Sequence, residues 1–197
     1  SRRNPPPLLH TGYFKIDSMR HACLDRSDRL IAGMDRVLRT LWGIPQGTAR
    51  PNPAGCLRPD HGLSPTARQR AGRLMRVNLA GEVAAQALYH GQSLMARDPA
   101  IAARMRQAAK EENDHLIWCR ARLDALETRA SALNPLWYAG AFAIGAGASA
   151  LGDAASLGFL EETELQVVNH LNRHLKRLPE ADRTSRRVLE QMRTDEA

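Results

Sequence analysis

Aromatic residues make up only 5% of the 197-residue chain, while Ala, Leu and Arg are abundant. Sheet cores draw on aromatic and β-branched side chains, so this shortage favours helices. Cysteine is also scarce. Cys23, Cys56 and Cys119 are odd in number and scattered, which argues against a disulfide framework and a CxxC metal site and fits a reducing compartment. Lysine is limited to Lys15, Lys110 and Lys176, so arginine carries almost all of the net charge of +7. A basic balance suits nucleic acid or an anionic membrane surface. No basic run is interleaved with aromatics, and no nucleic-acid partner is expected. The length suits one domain with a sizeable core.

Residues 1–23 are expected to be a disordered leader. Their first 18 residues carry Pro and Arg, lack periodicity and have no apolar core of signal-peptide length. Leu30, Ile31, Met34, Val37, Leu38 and Leu41 then recur at helical spacing and predict an amphipathic helix. Residues 43–63, with four prolines and four glycines, read as an extended link. Ser64-Pro65 is a helix start, cap followed by proline, and Asp98-Pro99 and Asn134-Pro135 repeat it. The helices these signals open should run to about Ala96 and about Thr128. Asp153 should start a helix to about Leu178, and Pro179 should restart the chain into a last helix with the stripe Val188, Leu189 and Met192. No charge occurs from Ala130 to Gly152, 23 residues in all. That is long enough to span a bilayer, but Pro135 and four glycines keep its apolarity modest. A packed or interfacial helix is expected, the plainer alternative being a small-residue helix buried in a bundle.

Glutamates mark these helices at regular intervals. Glu82 precedes Glu112 by 30 residues, and Glu164 precedes Glu196 by 32. Each gap fits one helix, a turn and part of the next. Residues i and i+3 share a helix face, so Glu112 and His115 can reach one metal site together, while Glu111 should point elsewhere. Four-helix bundles hold two metals with one Glu from each of two helices and a Glu-x-x-His from each of the other two. An isolated Glu-x-x-His is also common as a solvated pair on a charged helix, and the motif alone leaves both readings open. Iron accepts carboxylate and imidazole ligands, and bridging glutamates hold two irons close together. Asp114 and Asp195 are candidates to orient the imidazole. His170 and His174 form an HxxxH pair able to bind zinc, but no Glu follows the first His as a zinc protease requires; His170, near Glu164 in sequence, suits a place beside the metal ligands or facing substrate, and a polar helix face is the simpler role for His174. Tyr89, Trp137, Tyr138 and Phe142 suit either an apolar substrate channel or the core.

Longer motifs carry a family resemblance. Met75-Arg-Val-Asn-Leu-Ala-Gly-Glu82-Val, Gln86-Ala-Leu-Tyr-His-Gly-Gln92, Glu111-Glu112-Asn-Asp-His115-Leu-Ile-Trp-Cys, Leu133-Asn-Pro-Leu-Trp-Tyr138, Ser156-Leu-Gly-Phe159, Thr163-Glu164 and Glu190-Gln-Met-Arg-Thr-Asp-Glu196 together resemble the demethoxyubiquinone hydroxylases of ubiquinone biosynthesis, in a proteobacterial form. The resemblance covers roughly residues 24–197. It implies an all-α, ferritin-like four-helix bundle with additional N-terminal and interfacial helices, forming a single di-iron domain. It implies two iron ions held by Glu82, Glu112, His115, Glu164 and Glu196. It also implies O2-dependent hydroxylation of a polyprenyl quinol, peripheral attachment to the cytoplasmic face of the bacterial inner membrane, and partner proteins of the same pathway. The family's last ligand His and the helix after it would fall beyond Ala197, so the C-terminus is expected to be truncated. A rubrerythrin-like peroxide- or iron-handling protein and a non-catalytic quinone- or lipid-binding partner are the alternative functions.

Overall fold

In the computed structural model, residues 26–55 and 62–197 are described. The expected leader at 1–23, Cys23, Cys56 and the middle of the 43–63 link lie outside the described residues. Among the described residues there are six helices and no strand: α1 Arg26–Leu41, α2 Pro65–Met95, α3 Pro99–Ala125, α4 Asn134–Ala150, α5 Asp153–Arg177 and α6 Arg183–Asp195. The described residues divide into two units, 26–38 in one and those from 39 onward in the other. Helices α2 to α6 belong to the second. Helices α2, α3, α5 and α6 form the all-α, ferritin-like bundle, and α1 and α4 are additional to it.

Local chemistry sets most of the helix ends. The Ser64 hydroxyl accepts from the Ala67 N–H at 3.2 Å, and the Asp98 carboxylate from the Ala100 N–H at 2.8 Å, satisfying donors that a helix start leaves open. Two starts differ from the sequence expectation. At α4, Leu133 takes the cap position in a helical conformation without a side-chain cap bond, and Asn134 already lies inside the helix. The preceding Ser131 organises this turn instead, its hydroxyl accepting from the Leu133 N–H and its carbonyl from the Asn134 N–H. At α6, the cap is Asp182, whose carboxylate accepts from the Ser185 N–H at 2.9 Å. Helix α3 stops short of Thr128 because Glu127 turns to a left-handed φ of 54° and the Thr128 N–H reaches back to the Leu123 carbonyl at 2.9 Å.

The core runs along one stripe of each helix. Met75, Leu79, Val83 and Ala87 follow one another at i, i+4 on α2 and are buried, as are Leu116 and Leu123 of α3 and Val188, Leu189 and Met192 of α6; Met105 and Ala109 of α3 pack with Ala85, Leu88 and Tyr89 of α2 and Leu160 of α5. A buried ion pair ties α3 to α6: Arg122 donates to Asp182 at 2.8 Å and to the Ser185 hydroxyl at 2.7 Å. At the other end, Asp153 accepts the backbone N–H groups of Arg97 and Asp98 at 3.1 and 3.0 Å. The start of α5 is thereby fixed to the turn between α2 and α3.

The uncharged segment forms α4, packed along α2. No described helix is long and apolar enough to cross a membrane. A Cβ at Gly91 would overlap the Phe142 carbonyl and the Ala146 nitrogen, and one at Gly145 would overlap the Leu88 carbonyl. The two backbones therefore meet through a reciprocal pair of glycines. The opposite face of α4 exposes Leu136, Trp137 and Ile144, with Leu133 and Leu151 exposed at its ends. Gly145 is thus a packing contact, whereas a Cβ at Gly147 would meet nothing within 4 Å. Gly145→Ala should lower stability by about 1–3 kcal/mol through overpacking. Gly147→Ala should raise it by up to about 1 kcal/mol through helix propensity. Urea denaturation of both variants checks this pair; equal effects would contradict it.

Candidate metal centre

Glu82 sits on α2 within the apolar Leu79–Val83 stretch, and Glu112 and His115 sit on α3 between Ala109 and Leu116. Helical periodicity that builds the core therefore turns these three polar side chains inward, where all three are buried. One ligand atom from each lies within 4.8 Å of the other two. The His115 Nδ1 stands 3.3 Å from Glu112 Oε2, 3.6 Å from Glu82 Oε2 and 3.3 Å from Glu196 Oε1. Glu196 reaches in from the residue that caps α6, with its backbone N–H bonded to the Met192 carbonyl. Glu164, on α5, is half-buried at the margin of this group. Glu111 is exposed and paired with Gln107, as its helical angle requires.

Crowded negative charge dominates the electrostatics. Burial and the neighbouring Glu82 carboxylate push the Glu112 carboxyl up to about 8. Burial raises Glu164, and Glu196 and Glu112 raise it further, partly offset by Arg104. Glu196 is raised by burial and by Glu112 against a lowering hydrogen bond from His115. Burial opposes a charge on His115, but its bonds to Glu112, Glu196 and Glu82 outweigh that and hold the imidazole well above its ordinary range. Two carboxylates and an imidazole within one ligand sphere, with Glu196 beside them, make a donor set suited to a divalent metal of the iron, manganese or zinc type. A cation there would offset the repulsion between the carboxylates. Cys119 lies in the same field, and burial pushes its thiol up; its Sγ lies 3.8 Å from the Met192 sulfur.

The other ring nitrogen of His115 is fixed separately. Nε2 lies 3.0 Å from Asp195 Oδ2, which leaves Nδ1 facing the carboxylates. Of the two aspartates suggested by sequence, Asp195 orients the imidazole, and Asp114 instead accepts from the Thr48 backbone N–H at 2.9 Å and from the Thr48 hydroxyl. Tyr89 suits a channel or the core by sequence. It is buried in the core, and the charges of Glu112, Glu196, Glu164 and Glu82 act with burial to raise its hydroxyl. The signal was the seven-residue spacing from Glu82, two helical turns on one face.

His170 and His174 do not join this group. Both rings converge on the Asn78 Oδ1, at 3.1 Å from His170 Nε2 and 2.8 Å from His174 Nδ1, so each donates to that oxygen. A cavity of about 830 Å³ lies between α2 and α5, with Glu82, Asn78 and His170 on its polar wall and Leu133 and Trp137 at its exposed edge. Tyr138 is instead buried beside His90, to which its hydroxyl bonds at 2.8 Å.

Burial, then the neighbouring His170, Arg177 and Arg173, lower the His174 pKa to about 4. The folded chain thus keeps His174 neutral where the unfolded chain, near 6.5, binds a proton. The stability held above pH 6.5 should be lost as pH falls toward 4. His174→Gln should flatten this part of the stability–pH curve, measured by urea denaturation from pH 7 to 4. An unchanged slope would contradict it.

The family model described as "Ubiquinone biosynthesis protein COQ7" matches residues 69–197, which include Glu82, Glu112, His115, Glu164 and Glu196. Three similar relatives carry the name 3-demethoxyubiquinol 3-hydroxylase. The protein of Paracidovorax citrulli is 55% identical over 169 residues, spanning 86% of this chain and 82% of its own. That of Cupriavidus necator is 56% identical over 170 residues, and that of Ralstonia pickettii 53% over 179, each with the same coverage. With these relatives and with a bundle that brings Glu82, Glu112, His115 and Glu196 into one buried cluster, the chain belongs to the COQ7 family of ubiquinone biosynthesis proteins.

Proposed function

We propose that this chain is a di-iron monooxygenase that uses O2 to hydroxylate the ring of a polyprenylated demethoxyubiquinol. The observation that carries the reading is the buried carboxylate–imidazole cluster, in a chain more than half identical to proteins named for that hydroxylation. Glu82, Glu112, His115, Glu164 and Glu196 are the residues that would hold two irons. Bound there, iron supplies the reduction of O2 and the insertion of oxygen into a ring C–H bond.

The chain's own contribution is position, charge and exclusion of water. The carboxylates offset the charge of the metals, and His115 presents Nδ1 to them. Tyr89, buried in the core beside the charges of the cluster, keeps its hydroxyl proton. The cavity between α2 and α5 suits the quinol ring, with Glu82 on its inner wall and His170 offering a polar contact. Leu133 and Trp137 lead from its edge to the exposed apolar face of α4, a path for the polyprenyl tail. Each buried CH2 of such a tail contributes about 0.8 kcal/mol. The same face, with arginines drawn to anionic headgroups, suits peripheral attachment at the cytoplasmic side of the bacterial inner membrane. A cavity with a polar inner wall and an apolar edge favours a lipid-tailed quinol over peroxide or iron handling.

The test is a single reconstitution. The iron-loaded chain, given a reductant, O2 and demethoxyubiquinol in anionic vesicles, should yield the ring-hydroxylated quinol. Glu112→Ala should lose most of the iron and reduce product by more than about 100-fold, beyond the loss typical of residues outside the ligand set. Unchanged iron stoichiometry in that variant would sink the metal assignment. An iron-loaded chain that hydroxylates no demethoxyubiquinol would favour the peroxide-handling reading.

A further inference from the structure

The non-helical connector after α1 touches the residues interleaved with the metal-site side chains. The Asn113 amide donates to the Gln46 carbonyl at 2.8 Å. Asp114 accepts from both the backbone and the hydroxyl of Thr48. Arg50 donates through one nitrogen to both oxygens of Asp195, at 2.7 and 2.8 Å. Asn113 and Asp114 lie between Glu112 and His115, and Asp195 directly precedes Glu196. The inward face of each motif thus meets the cluster while its outward face meets the connector. The approach is tight: a Cβ at Gly47 would overlap the Asp114 carboxylate, so a larger residue there must displace the connector or that side chain.

Arg50 is held on two sides. Its guanidinium carbon lies 5.0 Å from the centre of the Trp118 ring, within cation–π range, and Trp118 also lies against the His115 ring, 5.4 Å between centroids. Asp195 Oδ2 accepts from Arg50 and faces His115 Nε2 at 3.0 Å, and Gln191 donates to Oδ1 at 2.9 Å. Without Arg50, Asp195 keeps only Gln191 and His115 among these partners. It is then free to swing toward water, because it sits at the partly exposed end of α6.

We propose that Arg50 is a positioning residue of the metal centre, and that the connector 46–50 acts through it to fix the Asp195–His115 bond and the adjacent Glu196. The connector joins α1 to the bundle in sequence, yet its side chains brace the centre from outside. The guanidinium spans two partners, its carbon over Trp118 while one of its nitrogens meets both oxygens of Asp195; Lys, a compact point charge, supplies the charge without that span. The proposal rests on the metal-binding reading of the buried cluster.

The experiment uses the whole chain, with manganese(II) as the probe metal under anaerobic conditions and 15N-histidine NMR of the metal-free chain. Arg50→Met should weaken manganese affinity by about 10- to 100-fold, the range for partners of metal ligands. It should also abolish the slowly exchanging Nε2 proton of His115, with the helical circular dichroism unchanged. Arg50→Lys should recover part of the affinity. Gly47→Ala, which lifts the connector without touching Arg50 or Asp195, should mimic Arg50→Met. Wild-type affinity and an intact His115 signal in Arg50→Met would overturn the proposal. So would a loss of affinity matched by a loss of helix content, which would make Arg50 merely structural. Failure of the wild-type chain to bind manganese or iron would overturn both this proposal and the metal-binding reading, whereas a wild-type result in Arg50→Met overturns this one alone.

Discussion

Like charge held in a buried space is the constraint on which this molecule turns. Glu82, Glu112 and Glu196 crowd around one imidazole, with Glu164 close enough to be raised by two of them. Buried carboxylates repel one another and lose hydration, and either protons or cations must compensate. Such a cluster cannot hold itself together. The surrounding fold must resist its expansion, which explains how stiffly the neighbouring helices are joined. The Gly91 and Gly145 contacts bring α2 and α4 to backbone distance. The Arg122–Asp182 pair locks α3 to α6, and Asp153 caps the α2–α3 turn from α5.

Function follows from the same constraint. The carboxylates give a divalent metal the hard oxygen donors that it favours, and the single imidazole is oriented so that one nitrogen remains for it. The cavity between α2 and α5 reaches this cluster at Glu82 and ends at Leu133 and Trp137. A polar reaction centre is thereby joined to an apolar surface without a break in the bundle. Hydroxylation of a lipid-soluble quinol needs both ends of that path.

Much of this was legible in the sequence, for identifiable reasons. The i, i+3 spacing of Glu112 and His115 fixed their common face, and the Ser64-Pro65 and Asp98-Pro99 signals fixed two helix starts within a residue or two. The stripe of Val188, Leu189 and Met192 marked α6. What could not be read was long-range. Asn134 failed as a cap because Ser131 had already organised the turn. The choice of Asp195 over Asp114 as the partner of His115 depends on how α6 ends against α3. The role of Gly47 depends on a connector passing over residues 67 positions away. Tyr89 could be placed on the face of Glu82, but its proximity to Glu164 and Glu196 required two further helices to be in place.

The most direct test is anomalous diffraction from crystals of the chain grown with manganese or iron. The account predicts metal peaks within coordination distance of His115 Nδ1 and the carboxylates of Glu82, Glu112 and Glu196, with Nε2 of His115 still bonded to Asp195. Peaks confined to surface carboxylates, or to the His170–His174 pair, would contradict it.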